Sequence, residues 1–188
     1  EGRTFFTIIA ALDELGYDCE WQVLNSKDFG VPQNRERVFI VGHLRGQSRG
    51  QIFPLNGDGG EDHELRGHVA NTLTCCYEGA GTGTYIGEGE LDAQVGTLRT
   101  HKSGQGFREA QSGLAPTIPA RAREDGSGQG VVRQGSIVRR LTPIECERLQ
   151  GFPDGWTEGV SDSQRYKCLG NAVTVNVIEA IVRAIFDK

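Results

Sequence analysis

Apolar positions near the start of the chain repeat with the periods of regular secondary structure. Side chains spaced three and four residues apart predict an amphipathic helix over residues 4–15, which Gly16 ends. Alternation over residues 19–24 predicts a strand, and the run over residues 37–41, which is apolar after Arg37, predicts a second, buried strand. The order helix, strand, loop, strand is typical of one part of an α/β sheet.

Helical patterns return after residue 139. Thr142 and Glu145 have the spacing of a capping box, and Pro143 suits the first helical position. A short helix is therefore predicted to run from there to Gly151.

Two more helices are predicted beyond a turn. Ser161 caps a short helix that ends near Gly170, and Asn171 opens the last helix of the chain. The apolar stripe of this last helix is predicted to face the core. It consists of Val173, Val177, Ile178, Ile181, Val182 and Ile185.

The middle of the chain shows neither the helical nor the strand periodicity of apolar residues. Gly, Thr, Ser and Gln dominate residues 43–138, which predicts short strands and long loops with few helices. Residues 1–42 and 139–188 are therefore predicted to form one α/β unit, which this insertion interrupts.

The insertion contains a weak internal repeat. Thr followed by an aliphatic residue occurs at Thr72, Thr97 and Thr117, each time after a small or turn-forming residue. Chance in a Gly- and Thr-rich region explains the pattern, and so does a small lobe of repeated strand and loop units. Both interpretations stay open.

The composition is that of a folded protein. Of the 188 residues, 37% are hydrophobic, and no apolar run reaches the roughly 20 residues of a membrane span. The five cysteines are odd in number and lack metal-binding spacing, which argues against a disulfide scaffold and favours a reduced, cytoplasmic protein. The sequence contains no Met and opens close to a helix, so we expect a piece of a longer polypeptide.

Charge is distributed unevenly along the chain. The net charge of −5 argues at first against a nucleic-acid partner. Residues 99–140, however, carry eight basic and three acidic side chains, whereas residues 61–98 carry one basic and seven acidic ones. A local basic segment can follow phosphates whatever the total charge, so nucleic-acid binding remains open.

Motifs of self-sufficient catalysis are absent from the sequence. No GxSxG, HExxH or P-loop pattern occurs, and the four histidines have no metal-ligand spacing, so we expect no metal. Two Gly-x-Gly-x-Gly runs do not lie between a strand and a helix, which makes dinucleotide binding a weak interpretation. The cysteines are interpreted as core or surface thiols.

Gln33, Arg35 and Arg37 form a polar strip that leads into the second strand. In an extended chain all three lie on one side. Two guanidinium groups held by a buried strand suit a planar or anionic ligand. A solvated edge strand with a charged face explains the same pattern.

Three motifs give the chain a family resemblance. Residues 30–40, GVPQNRERVFI, resemble the Gln-x-Arg-x-Arg motif of cytosine-5 DNA methyltransferases. Residues 139–153, RRLTPIECERLQGFP, resemble the motif that follows their target recognition region, and residues 166–173, YKCLGNAV, resemble their last motif. The motifs occur in the order of the family, and the resemblance covers the whole chain.

The resemblance implies a fold, a reaction and two partners. The fold is the C-terminal portion of an S-adenosylmethionine-dependent methyltransferase sheet, with an inserted DNA-recognition lobe made mostly of strands and loops. The family adds a Cys to C6 of a flipped-out cytosine and transfers a methyl group from S-adenosylmethionine to C5. We therefore expect double-stranded DNA as substrate and S-adenosylmethionine as cofactor. No membrane partner is expected either, because no apolar run is long enough to span a bilayer.

The resemblance also implies roles for single residues. Arg37 is similar to the arginine that contacts O2 of the flipped cytosine, while Arg35 and Gln33 would position the catalytic loop, the base or a nearby phosphate. Asn171 and Ala172 match positions near S-adenosylmethionine. The candidates for DNA contact are Thr72, Thr97, Thr117, Arg99, Arg121 and Arg123.

Half of the family's sequence pattern is missing from the chain. No Cys follows a Pro, and neither a Gly-rich cofactor motif nor a Glu-Asn-Val occurs as in the family. The nucleophilic Cys and the Glu are thus expected outside these residues, and the chain as given is predicted not to methylate DNA alone. It would be a C-terminal fragment or the smaller subunit of a split enzyme, of bacterial or phage origin, whose partner is the N-terminal catalytic half.

Two other interpretations stay open. A non-catalytic DNA-binding module would keep the same C-terminal fold, and DNA binding that is indifferent to S-adenosylmethionine would favour it. A small-molecule enzyme is the third interpretation, against which a basic cleft lined by residues 99–140 would argue.

Overall fold

The computed structural model describes residues 3–46, 50–57, 93–99, 106–110, 113–120 and 128–186. In chain order the elements are α1 (Arg3–Glu14), β1 (Tyr17–Asn25), a 3-10 helix (Ser26–Phe29), β2 (Glu36–Leu44), β3 (Ala93–Arg99), β4 (Gly106–Glu109), β5 (Gly130–Gln134), β6 (Ile137–Arg140), α2 (Pro143–Arg148), α3 (Asp162–Asn171) and α4 (Val175–Phe186). The strands form an antiparallel pair, β1 with β2, and an antiparallel sheet in the order β4-β3-β5-β6. Helix, strand and strand at the start, strands in the middle and helices at the end confirm the predicted α/β arrangement.

β1 and β2 pair over their full lengths and present two different faces. Because side chains alternate along a strand, Trp21 and Val23 share one face, and Leu24 lies on the other. Leu24 is 4% exposed, whereas Trp21 is 51% and Val23 is 58% exposed. Val38, which lies opposite Val23, is 53% exposed. The prediction of a buried second strand is therefore wrong, because no described segment covers this face fully.

One core cluster joins this strand pair to α4. Its buried members are Leu24, Ile52, Phe53, Val177 and Ile181. The carboxylate of Glu20 accepts hydrogen bonds from the backbone N–H groups of Ile52 and Phe53, at 3.0 and 3.1 Å, and so ties that segment to β1. We call residues 3–46, 50–57 and 172–186 the open lobe.

The other core cluster lies under the four-stranded sheet. Its buried members are Val95, Ala115, Ile118, Val132, Leu141, Cys146, Leu149 and Leu169. Tyr166 reinforces the cluster, because its hydroxyl donates to the carbonyl of Leu141 at 2.7 Å and the guanidinium of Arg140 lies 3.4 Å from its ring centroid. We call residues 93–99, 106–110, 113–120 and 128–171 the closed lobe.

The two clusters do not follow the predicted division of the chain. The division groups residues 139–188 with residues 1–42, yet α2 and α3 pack against the strands of the insertion in the closed lobe. Residues 50–57, which the division places in the insertion, pack in the open lobe. The division into functional domains stays a prediction. The two hydrophobic cores are each built from segments that are distant in sequence.

α2 begins with the predicted capping box. The hydroxyl of Thr142 accepts from the N–H of Glu145 at 3.2 Å, and the Glu145 carboxylate accepts from the N–H of Thr142 at 2.6 Å. The same carboxylate, which is 0% exposed, accepts two hydrogen bonds from Arg139 at 2.7 and 2.9 Å. Glu145 thereby links the end of β6 to the start of α2.

The last helix begins later than predicted. Asn171 is the final residue of α3, and α4 begins at Val175. The hydroxyls of Ser26 and Thr174 lie 2.7 Å apart, and the N–H of Val175 donates to the carbonyl of Gln150 at 2.9 Å. These tertiary bonds hold the residues between the two helices in place of further helical turns, and no local sequence pattern predicts them.

Among the described residues, one stretch, Asp162–Phe186, is long and apolar enough in length and composition to cross a membrane. It consists of two helices, and α4 has 12 residues, or about 18 Å, against the roughly 30 Å of a bilayer core. Val177 and Ile181 of α4 are buried in the open-lobe core. The apolar composition of this stretch is therefore explained by the packing of α4 in the core of the open lobe.

Candidate functional site

The strip Gln33, Arg35 and Arg37 is divided between the interior and the surface. Gln33 is 0% and Arg35 is 3% exposed, whereas Arg37 is exposed. Gln33 and Arg35 precede β2, so strand alternation does not govern them. The three side chains therefore differ in exposure, and a solvated edge is excluded for the first two. That all three lie on one side stays a prediction.

The backbone of Arg35 is fixed to the end of β1. Its N–H donates to the side-chain oxygen of Asn25 at 3.1 Å, and its carbonyl accepts from the N–H and the hydroxyl of Ser26 at 3.0 and 3.3 Å. Asn25 also donates to the side-chain oxygen of Asn34 at 2.7 Å. The motif is thus held by side chains from outside the motif.

The guanidinium of Arg35 clamps the turn between α3 and α4. Its Nη2 donates to the carbonyls of Gly170 and Ala172, at 3.1 and 2.7 Å. Burial lowers the pKa of Arg35, and the charge of Arg37 lowers it further, yet a guanidinium keeps its proton in proteins. Arg35 therefore connects the first and last sequence motifs by charge-assisted hydrogen bonds.

A segment of the closed lobe pairs with the same motif. The N–H of Asn34 donates to the carbonyl of Ala115 at 3.0 Å, and the N–H of Ala115 donates to Pro32 at 2.9 Å. Gly170 packs so closely on this segment that a Cβ there would lie 2.4 Å from the backbone of Ala120. Three segments that are distant in sequence therefore meet at one junction.

This junction contains polar atoms without partners among the described residues. They are both polar side-chain atoms of Gln33, Nε and Nη1 of Arg35, and Oε1 of Gln150. Buried polar groups normally have a hydrogen-bond partner. The junction therefore offers donors and acceptors beyond those that hold its own segments together.

Arg37 is placed to reach a ligand outside the chain. It lies opposite Leu24 in β2, and its Nη1 donates to the backbone carbonyl of Glu36 at 2.6 Å. No ion pair with another described residue neutralises its guanidinium, which has five N–H donors. Its charge is therefore available to a ligand, although Arg37 lies on the same face of the strand pair as the buried Leu24.

The candidates for DNA contact separate into three groups. Thr97 and Arg99 belong to β3, and Thr117 lies in the segment that pairs with the motif. The hydroxyl of Thr117 donates its single proton to the carbonyl of Asn34 at 3.0 Å, so in this arrangement it fixes Asn34 and cannot also donate to a phosphate. The remaining candidates, Thr72, Arg121 and Arg123, lie outside the described residues.

The two candidates for cofactor contact lie at the clamped turn. Asn171 ends α3 with an exposed side chain, and Ala172 continues in an extended conformation. Arg35 fixes the backbone on both sides of Asn171. The turn is thus a rigid platform with one outward-facing amide.

Several residues that organise the site have no motif signal in the sequence. Ser26 and Thr174 join the loop after β1 to the start of α4, and the Gln150 amide donates to the carbonyl of Leu169 at 2.5 Å. Single polar residues of this kind are recognisable only after folding brings their partners close. Among the described residues no group of three or more His, Cys, Asp or Glu side chains is arranged to hold a metal ion.

Solved structures define the class of fold. The Dnmt2 methyltransferase of S. pombe matches with a TM-score of 0.66 at 15% identity, over 98% of this chain and 61% of that chain. The Entamoeba histolytica methyltransferase EhMeth matches with a TM-score of 0.53 at 18% identity, over 98% and 58%. At these identities the likeness concerns the fold alone, which is the C-terminal portion of a methyltransferase fold.

Sequence comparison then gives the family. The family model for C-5 cytosine-specific DNA methylase matches residues 1–187, and the chain belongs to this family. Type II methyltransferase M.SsoII of Shigella sonnei is 36% identical over all of this chain and 49% of its own length. Type II methyltransferase M.DsaV of Dactylococcopsis salina is 36% identical, over all of this chain and 53% of its own length. The chain spans about half the length of these relatives.

The family implies S-adenosylmethionine as methyl donor, and the turn at Asn171 suits one wall of such a site. The amide offers donors and an acceptor for the polar groups of the cofactor, and the neighbouring Val173, 42% exposed, offers an apolar surface. The unsatisfied Nε and Nη1 atoms of Arg35 lie inside the chain, on the guanidinium that holds this turn. These residues can therefore form one part of a cofactor site, and other residues have to supply the rest of its lining.

Proposed function

We propose that the chain is the C-terminal part of a DNA (cytosine-5-)-methyltransferase, which transfers a methyl group from S-adenosylmethionine to C5 of a flipped cytosine in a specific DNA sequence. It supplies DNA recognition and contacts to the base and the cofactor. The nucleophilic Cys and the Glu come from an N-terminal catalytic half, on the same polypeptide or on a separate subunit. Family membership and the span of about half the relatives support this proposal.

The exposed apolar surface of the open lobe is the observation that carries the proposal. α1 has no buried residue, and Phe6 and Leu15 are 71% and 70% exposed. Trp21, Val23 and Val38 add more apolar surface on the adjoining strands. Contiguous exposed apolar surface marks an interaction site, and an isolated two-stranded sheet is marginal in water. A catalytic half that covers this surface would bury it and would so join the two halves into one enzyme.

In the proposed enzyme each part of the site has a distinct task. Flipping brings the cytosine out of the stack, and addition of the Cys at C6 makes C5 nucleophilic. Arg37 contacts O2 of the flipped base, where a fixed positive charge stabilises the charge that develops on the ring. Arg35 and Gln33 position the catalytic loop, the base or a nearby phosphate. Asn171 and Ala172 face S-adenosylmethionine, which supplies the methyl group when bound.

DNA recognition is assigned to the insertion, residues 43–138. Its candidates are Thr72, Thr97, Thr117, Arg99, Arg121 and Arg123. The names of the relatives M.SsoII and M.DsaV, type II methyltransferases, support a role in restriction-modification in a bacterial or phage setting. The proposed location is the cytoplasm, where the substrate DNA is found in such cells.

Complementation tests the proposal. The chain is mixed with a matching N-terminal half, labelled S-adenosylmethionine and duplex DNA, and methyl transfer is measured. Transfer that requires both halves is expected. Salt-dependent DNA binding without transfer, for a half verified to be folded, would instead favour the non-catalytic DNA-binding module.

Arg37→Ala tests the role of the exposed arginine in the assembled enzyme. We expect the rate of methyl transfer to fall by about 100- to 1,000-fold, as for the loss of a preorganised charged donor, with little change in sequence preference. Arg45→Ala is the control, since Arg45 is exposed on the same lobe and pairs with Asp13 and Asp18. A shift in sequence preference at an unchanged rate would show that Arg37 reads the DNA sequence instead.

A further inference from the structure

A cavity lies between the closed lobe and the Gln33–Arg37 motif. It has a volume of about 290 Å³, and Asn34, Thr97, Arg108, Leu114, Pro116 and Thr117 line it. Asn34 belongs to the motif, whereas Thr97 and Arg108 stand on the four-stranded sheet. The cavity therefore adjoins the proposed base-contacting motif on the side of the recognition strands.

Arg108 differs from Arg133, Arg139 and Arg140, three other arginines of the closed lobe. Arg133 donates to Gln94 at 2.5 Å and lies 4.8 Å from the ring centroid of Phe107. Arg139 pairs with a buried carboxylate and Arg140 stacks on a tyrosine ring. Arg108 is exposed and makes no side-chain hydrogen bond or ion pair with another described residue. Its charge is therefore not used to hold the fold.

The strand register places this charge at the cavity. Arg108 lies directly opposite Thr97 in the pair of β3 and β4, so the two side chains share a face. Val95, two residues before Thr97, is buried in the core on that face. Glu109, the acidic neighbour that also borders the cavity, follows Arg108 by one residue, so alternation directs its carboxylate to the opposite face.

The lining has the chemistry of one unit of a DNA backbone. Leu114 and Pro116 give an apolar floor that suits a deoxyribose, and the guanidinium of Arg108 suits a phosphate. Thr117 contributes rigidity, because its hydroxyl fixes the carbonyl of Asn34. A strand held at this point would pass directly beside the motif that carries Arg37.

We propose that this cavity binds one phosphodiester unit of the DNA next to the flipped cytosine, with Arg108 as its charged contact. The proposal rests on the proposed function, since DNA is its ligand. A phosphate contact positions the duplex and carries no sequence information. Arg108 is thus assigned to affinity and register rather than to reading of the target sequence.

The test is the salt dependence of DNA binding. The chain, assembled with its catalytic half, is titrated with a mixed-sequence duplex of about 20 base pairs at several KCl concentrations between about 50 and 200 mM. Arg108→Gln should lower the slope of log K against log salt by about 0.9, the value for one lost phosphate contact. Binding should weaken by about three- to tenfold, and by the same factor for unrelated duplexes.

Two variants serve as controls. Arg108→Lys keeps the charge and should keep the slope. Arg183→Gln removes an exposed arginine that pairs with Glu179 on α4 and should leave both slope and affinity unchanged. In methyl transfer, Arg108→Gln should raise KM for DNA and leave kcat nearly unchanged, whereas loss of a catalytic group would lower kcat.

An unchanged slope in Arg108→Gln would overturn the cavity proposal, and so would an altered preference among duplexes, which indicates base reading. These outcomes leave the proposed function intact as long as the assembled enzyme transfers methyl groups. Absence of methyl transfer with a verified catalytic half would overturn the proposed function instead. Absence of all DNA binding would overturn both.

Discussion

The open and closed lobes differ in how far their apolar side chains are buried. In the closed lobe Leu114, Leu141, Leu149 and Leu169 are each 1% exposed, and sheet, helices and connecting segment cover one another. In the open lobe the helix α1 has no buried residue, and one face of the strand pair is largely uncovered. The closed lobe therefore has a well-covered core, whereas the open lobe exposes apolar surface of the kind that marks an interaction site.

The polar residues of the two lobes differ in the same way. In the closed lobe buried carboxylates are saturated by internal donors, as Glu147 is by Gly155, Thr157 and Arg165. At the edge of the open lobe Arg37 projects outward, and Gln33 retains side-chain atoms without partners among the described residues. The difference indicates that stability resides mainly in one lobe and the proposed chemistry in the other.

The largest expected effect comes from truncating matched leucines in the two lobes. Leu141→Ala, in the closed core, should lower the free energy of unfolding by about 2–5 kcal/mol, through lost burial and a cavity. Leu15→Ala should change it by less than about 0.5 kcal/mol, since Leu15 is 70% exposed. Urea denaturation followed by circular dichroism measures both. Equal losses would remove the distinction between the lobes.

Glu147→Gln should cost about 2–4 kcal/mol in the closed lobe. The carboxylate is 0% exposed and accepts from Arg165 at 3.0 Å and from the N–H groups of Gly155 and Thr157 at 2.7 and 2.9 Å. Loss of the charge leaves Arg165 without its buried partner. Glu158→Gln, at an exposed carboxylate of the same loop, is the control.

The Glu147 contribution should depend on pH. Burial raises the pKa of Glu147, but hydrogen bonds from Thr157, Arg165 and Gly155 lower it by more, so the pKa is below its ordinary value. A depressed pKa stabilises the fold fully above the ordinary glutamate pKa of about 4.3, and this is lost as pH falls through the lower folded value. The difference between wild type and Glu147→Gln should therefore shrink below about pH 4. A difference that grows on acidification would contradict the assignment.

Trp21→Ala should act on assembly more than on the chain alone. Trp21 is 51% exposed, and its ring centroid lies 5.3 Å from that of Phe5. If the catalytic half covers this face, the substitution should weaken association by about 1–3 kcal/mol, or roughly 5- to 150-fold, as for an aromatic hot spot. Binding of the labelled catalytic half measures the effect.

Trp156→Ala is the matched control for this comparison. Trp156 is 65% exposed and stacks on Phe152 in the closed lobe, with ring centroids 6.1 Å apart. Its loss should leave association unchanged. If both substitutions weaken association equally, the docking surface extends over the closed lobe as well.

The smallest effect is expected at the link between the lobes. Arg35→Lys keeps the charge but loses the planar group that reaches both Gly170 and Ala172, which should cost about 1 kcal/mol. Arg37→Lys, at the surface, should leave stability unchanged. Calorimetry should show a broader transition for Arg35→Lys, because the open lobe is then held less firmly to the closed lobe. An unchanged transition would show that other contacts carry the coupling.

Much of the fold follows from local patterns. The helix at the start, the strand pair, the capping box of Thr142 and Glu145, and the final apolar helix all have signals that depend on neighbouring residues. The observed helix boundaries differ from the predicted ones where tertiary hydrogen bonds hold the backbone. An example is Thr174, whose hydroxyl bonds to that of Ser26, 148 positions away in the sequence. Burial was misjudged for Val38, because its apolar character does not show whether this chain covers it.

The residues of the candidate site were proposed from the sequence, whereas their arrangement is visible only in the fold. The spacing of Gln33, Arg35 and Arg37 and its family resemblance point to one motif, since spacing and residue type are properties of the sequence. Only the fold places Arg35 against the carbonyls of Gly170 and Ala172 while leaving Arg37 outside. Contacts between distant segments depend on how the two cores pack, and a one-dimensional pattern contains no such distances.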